Sequence, residues 1–192
     1  MDLSMKSVAK TAAFTSDQIV AIIREARTRT NALIGDLSDA QLIGPRLDIV
    51  NPLLWEIGHV AWFQERWALR HLRGQEPLME SGDALYDSAG VAHDTRWDLL
   101  LPNRAHTLLY METVLNRVVE LLGARECAGE EVYFHLLATF HEDMHDEAIT
   151  YTRQTLGYPA PQLAGPQHET LEGGFLDGDA EIPGGMFQLG AA

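Results

Sequence analysis

Apolar and polar positions alternate with the period of an α-helix over four long stretches of the chain. The first opens at Thr15-Ser16-Asp17-Gln18, where Thr15 and Gln18 have the spacing of a capping box. Ile19, Ile22, Ile23, Ala26, Leu33 and Ile34 then recur at helical intervals, and Gly35 lies near the end. A short SDAQL turn or helix follows. The second stretch places Asn51 as cap and Pro52 at the first helical position, and runs through LLWEIGHVAWFQERWALRHL to Gly74. The third opens at Pro102 and ends at Gly123, and the fourth runs from about Glu130 to Gly157. Between the second and third, residues 75–101 read as one long loop, a length that in a compact domain is usually functional or disordered.

The first 14 residues read as a frayed lead-in, and no convincing strand pattern appears before residue 175. The pattern therefore predicts an all-α four-helix bundle over residues 1–157. Residues 158–180 are rich in Pro and Gly and read as a linker. Residues 181–192, EIPGGMFQLGAA, read as a turn followed by one strand. A single strand needs a partner, so this tail is expected to pack on the bundle or to open a second domain.

Composition narrows the function. The 192 residues carry 28 acids against 14 Lys and Arg, a formal net charge of -14. Phosphate backbones and anionic lipid surfaces require clustered cations, so neither nucleic acid nor a membrane is expected as a partner. The single cysteine, Cys127, cannot form an intramolecular disulfide and fits a reducing compartment. In the polar stretch GARECAGE it is expected to be a surface thiol. The chain opens without the apolar centre of a secretory signal, and no apolar run approaches the roughly 20 residues of a membrane span. A cytoplasmic location is expected.

The densest chemistry is HEDMHDE, residues 141–147. His141 and His145 are four apart and so share a helix face, the spacing at which two imidazoles can hold one metal ion. Their face includes Phe134, Ala138, Ala148, Ile149 and Thr152, which turns the pair inward rather than into a solvated stripe. Glu142 and Glu147 point elsewhere and are expected to act behind the ligands, as carboxylates that orient histidines commonly do. A third ligand should come from another helix. His59, among Trp55, Glu56, Trp62, Phe63 and Arg66, is either a hydrogen-bonded core histidine or that ligand. His71, His93, His106, His135 and His168 have no such partners and are taken as surface or loop residues. HEDMH also fits the zinc-protease pattern H-E-x-x-H, but the Gly and His of the metzincin extension are missing and nothing before the motif resembles a substrate-cradling sheet.

Trp55, His59, Trp62, Phe63 and Glu65 form W-x-x-x-H-x-x-W-F-x-E, and His141, His145 and Glu147 form H-x-x-x-H-x-E. Together they resemble the N-terminal DinB-like domain of the EgtB family, non-haem iron enzymes of ergothioneine biosynthesis. The related SenA enzymes make selenoneine. Ile182-Pro183-Gly184-Gly185-Met186-Phe187 with Leu189-Gly190 resembles the opening of the formylglycine-generating-enzyme-like (FGE-sulfatase-like) α+β domain that follows the bundle in this family.

The resemblance implies an Fe(II) centre held by His59, His141 and His145. It further implies O2-dependent joining of sulfur or selenium to hercynine, with a thiol or a selenosugar as donor. Other catalytic groups are implied to lie in the C-terminal domain, of which these residues would carry only the start. Two positions depart from the EgtB pattern. Met144 stands where a Gln often contacts hercynine. Arg96 fits one of two arginines that read γ-glutamylcysteine, but His93 stands at the other. These substrate-binding positions tilt the expectation toward the selenosugar branch. The alternative within the same architecture is a DinB-like zinc-dependent thiol transferase, and the remaining one is a structural bundle with incidental histidines.

Overall fold

A computed structural model describes residues 14–123, 126–163, 178–179 and 181–187. His168, most of the expected linker and residues 188–192 lie outside the described residues. Helix α1 spans Ser16–Ile34 and is capped as expected: the Thr15 hydroxyl accepts from the Gln18 N–H, and the Gln18 side chain accepts from the Thr15 N–H. The short helix α2, Asp39–Ile43, has the same reciprocal cap from Ser38 and Gln41. Helix α3 covers Leu53–Gln64, α4 Gly82–Tyr86, α5 Arg104–Leu122 and α6 Glu130–Thr155.

Four of these are long, and they pack around one core. Helix α1 lies mainly on α6, while α3 contacts both α5 and α6. The core draws Ile19, Ile23 and Leu33 from α1, Trp55 and Ile57 from α3, Met111, Val114 and Val118 from α5, and Ile149 from α6. Among the described residues, no helix is long and apolar enough to cross a membrane.

Several expectations are corrected. Pro52, not Asn51, is the N-cap of α3, which frees the Asn51 side chain for tertiary bonds. The second helix does not stay α-helical to Gly74: residues Glu65–His71 form a π-helix. Such wide turns are rare and are often found at functional sites. The Glu65 carboxylate at its start accepts from the Tyr110 hydroxyl at 2.6 Å and from the Leu78 N–H at 3.1 Å. The long loop is not structureless, since it contains α4 and a single 3-10 turn, His93–Thr95. α5 begins at Arg104 with the Asn103 side chain as its cap, two residues later than Pro102.

A two-residue antiparallel ladder, β1 (Phe14–Thr15) with β2 (Glu126–Cys127), ties the start of α1 to the segment before α6. It is too short to show in the sequence pattern, and it buries Cys127 fully, so the expected surface thiol is a core residue. His135 is likewise buried rather than exposed. In the tail, residues 181–187 are exposed and form no strand, so the expected strand does not begin there. The bundle's contacts extend past α6: the Arg153 side chain bonds the Pro159 carbonyl, and the Tyr158 hydroxyl donates to the Gln41 carbonyl at 3.2 Å.

Candidate metal centre

The apolar run LLWEIGHVAW buries α3 on almost every side, so His59, in its middle, cannot reach bulk water. α6 brings His141 and His145 against it. One ring nitrogen of each of the three histidines lies within 4.8 Å of the others. The Nε2 atoms of His59 and His141 are 3.2 Å apart, and the ring centroids of His141 and His145 are 4.5 Å apart.

The outer nitrogens are fixed. His59 Nδ1 donates to the Tyr86 carbonyl at 2.7 Å, which leaves Nε2 bare and pointing at its neighbours. His145 Nδ1 donates to the Glu56 carboxylate, which leaves its other nitrogen bare. The His141 ring stacks on Phe63, with 3.6 Å between centroids and 6° between planes, and its buried Nδ1 has no hydrogen-bond partner. Trp55 stacks on the far side of His59 at 4.7 Å.

Two glycines permit this packing. A Cβ at Gly58 would come within 2.3 Å of the Tyr86 ring, so only glycine lets α4 approach closely enough to present the Tyr86 carbonyl. At Gly82 a Cβ would stand 3.2 Å from the Trp62 ring, a tighter approach than usual but a milder one than at Gly58.

The electrostatics suit a cation. Burial, with His145 nearby, pushes His59 down to about 4. Burial and the two neighbouring imidazoles push His141 down to about 2. Both rings are therefore neutral at pH 7, the state in which imidazole is a ligand. Burial alone would raise the Glu56 carboxyl, but the bonds from His145 and Asn51 bring it below its usual range, so it stays ionised. Three buried imidazole nitrogens converge beside a buried carboxylate with one hydrogen bond, between His59 Nε2 and His141 Nε2, available among them and His141 Nδ1 left without a partner, which is a poor hydrogen-bond arrangement and a good metal site. Three imidazole nitrogens fit Fe, Zn, Cu or Ni and leave coordination positions open for reactants.

The structure brings together His59, His141 and His145, and among the described residues none of the other expected site residues adds a ligand atom to this cluster. Glu142 is buried but turns away from the histidines toward α1, where it accepts from Arg27 Nε at 2.7 Å. Glu147 and Met144 are exposed on α6, Met144 at 53%. His93 sits half-buried in the 3-10 turn with its Nε2 donating to the Val50 carbonyl at 2.7 Å. Arg96 is buried, with its guanidinium 3.8 Å over the Trp55 ring. The groups that do hold the histidines, Glu56 and the Tyr86 carbonyl, escape the sequence reading. A Glu three residues before His59 in an otherwise apolar run was the available signal, because unpaired acids are rarely buried. A backbone carbonyl leaves no signal at all.

The DinB superfamily sequence pattern matches residues 22–149, two-thirds of the chain. The chain belongs to the DinB superfamily. It is also similar to curated proteins named hercynine oxygenase. The one from Mycobacterium tuberculosis is 29% identical over 135 residues, 69% of this chain and 31% of the relative. The one from Mycolicibacterium smegmatis is 27% identical over 167 residues, 86% of this chain and 39% of the relative. A third, from Mycolicibacterium thermoresistibile, is 29% identical over 127 residues, 65% of this chain and 28% of the relative. The chain thus spans about a third of the length of these relatives.

Proposed function

We propose that this DinB domain, residues 1–157, is the metal-binding part of a non-haem iron(II), O2-dependent enzyme that joins sulfur or selenium to hercynine. The observation that carries the reading is the convergence of three imidazoles whose outer nitrogens on His59 and His145 are held by Tyr86 and Glu56. Similarity to proteins named hercynine oxygenase supports the choice of substrate. Because the match covers about a third of those relatives, the groups that complete the substrate pocket belong in this reading to an FGE-like domain opening at residues 181–192 after the linker 158–180.

When bound, iron supplies open coordination positions for dioxygen and for substrate. The protein's own part is to hold and to shield. His59, His141 and His145 present nitrogen lone pairs, and Glu56 keeps a negative charge on the Nδ1–H of His145. Trp55, Trp62 and Phe63 wall the histidines and exclude water from that side. The donor in this reading is a selenosugar rather than γ-glutamylcysteine. Arg96 is engaged by protein groups and His93 by a backbone carbonyl, so neither forms the paired carboxylate grip that a dicarboxylate donor would need. The single-cysteine composition supports the cytoplasm as the compartment.

The test is an EPR spectrum of the anaerobic, iron(II)-loaded chain treated with nitric oxide, with and without hercynine. A high-spin iron–nitrosyl signal is expected from this chain, and its perturbation by hercynine from a chain that also carries the FGE-like domain. Retention of zinc in place of iron, with no nitrosyl signal, would replace this reading with the zinc-dependent thiol transferase.

A further inference from the structure

Arg96 belongs to the loop between α4 and α5, yet its side chain runs to the metal centre by two routes. Its Nη1 donates to Asn51 Oδ1 at 2.7 Å, and Asn51 Nδ2 donates to Glu56 Oε1 at 2.5 Å. The other oxygen of Glu56 accepts from His145 Nδ1. The same guanidinium covers the Trp55 ring, whose opposite neighbour is His59. Its Nη2 donates to the Val91 carbonyl at 3.3 Å, which anchors it in its own loop. The residue is 9% exposed, and its Nε is buried without a hydrogen-bond partner.

We infer that Arg96 is a positioning residue for the three-histidine centre: through Asn51 and Glu56 it orients His145, and through Trp55 it orients His59. The inference rests on the metal-site reading above. Physically, Asn51 has only its amide to fix the rotamer of Glu56, and the amide is itself fixed from behind by a planar cation with two donors in one rigid fork. A carboxylate that binds a ligand histidine in the correct tautomer raises that ligand's basicity, and disturbing such partners typically weakens metal binding by about 10–100-fold. The loop that a donor would approach is in this way connected to two of the three ligands.

The experiment uses Co(II) as the probe, titrated into the 192-residue chain and its variants. Visible ligand-field bands report geometry, and competition with a chelator reports affinity. Arg96→Met is expected to weaken Co(II) binding by about tenfold and to shift the bands at saturation. Glu56→Gln is expected to do the same. In the double variant the combined loss is expected to be smaller than the product of the two, because both act on one path. A helical, folded Arg96→Met with unchanged affinity and bands overturns the inference, as does a fully multiplicative double variant. If Arg96→Met loses its helical signal, Arg96→Lys takes its place. It keeps the charge but cannot span Asn51 and Val91 with one planar fork, and the same weakening and band shift are expected. An unaltered chain that takes up no stoichiometric Co(II) overturns the metal-site reading itself, and the inference with it.

Discussion

Helix α6 carries two buried polar regions one residue apart in register, and they are built on opposite rules. His141 and His145 face α3 and turn ring nitrogens toward that of His59, with His141 Nδ1 left without a hydrogen-bond partner. Glu142 and Asp146, about 100° further round, face α1, where arginines and a threonine meet both carboxylates. Arg27 grips Glu142 through Nε at 2.7 Å and Nη2 at 3.3 Å, and spends its remaining donors on the Met111 carbonyl and Gln64. The Thr30 hydroxyl lies 2.9 Å from Glu142 and 2.7 Å from Asp146, and Arg29 closes the far side of Asp146 at 3.0 Å. The seam on α1 is a closed network that fixes how two helices meet. The face on α3 is an open one that fits an ion. Burial alone therefore says nothing about function. The difference lies in whether the buried groups satisfy one another.

The comparison can be broken from either side. The largest effect is expected from Arg27→Met. The Arg27 and Glu142 side chains are 4% and 2% exposed, so removing the cation strands a buried carboxylate. That should cost about 3–5 kcal/mol of stability, read as a lower urea midpoint, while whatever fraction stays folded still binds metal. The opposite result is expected on the other face. His59→Ala, His141→Ala and His145→Ala should each abolish stoichiometric metal binding and leave the helical signal of the apo chain largely intact.

A second measure follows from linkage. Metal at a hundredfold excess over its dissociation constant should stabilise the unaltered chain by about 2.7 kcal/mol, and this gain should vanish in the three histidine variants. A stabilisation that survives His141→Ala would locate the ion somewhere else. The smallest effect is expected from Gly58→Ala. The added methyl must displace the Tyr86 ring, and overpacking of this kind costs about 1–3 kcal/mol. Because the Tyr86 carbonyl moves with the ring, metal binding should weaken as well. An Arg27→Met chain that loses stability but not metal, beside a Gly58→Ala chain that loses both, would separate the two faces cleanly.

What could be read from the chain alone was local. The cap at Thr15, the extents of α1, α5 and α6 to within two or three residues, and the shared face of His141 and His145 all follow from contacts three or four residues apart. The tertiary structure decided everything that joins distant segments. It chose His59 as the third imidazole, 82 residues from His141, and set Glu56 on His145 across 89 residues. It buried Cys127 through a ladder of two residue pairs and sent Glu142 to Arg27 instead of to the histidines. It also wound Glu65–His71 into π turns, for which the sequence pattern offers no signature. The physical reason is the range of the forces that leave a trace in sequence. Helix periodicity and capping repeat along the chain and so can be read from it. A hydrogen bond to the Tyr86 carbonyl, or one carboxylate answering one imidazole from another helix, depends on how whole faces pack and exists only once they have done so.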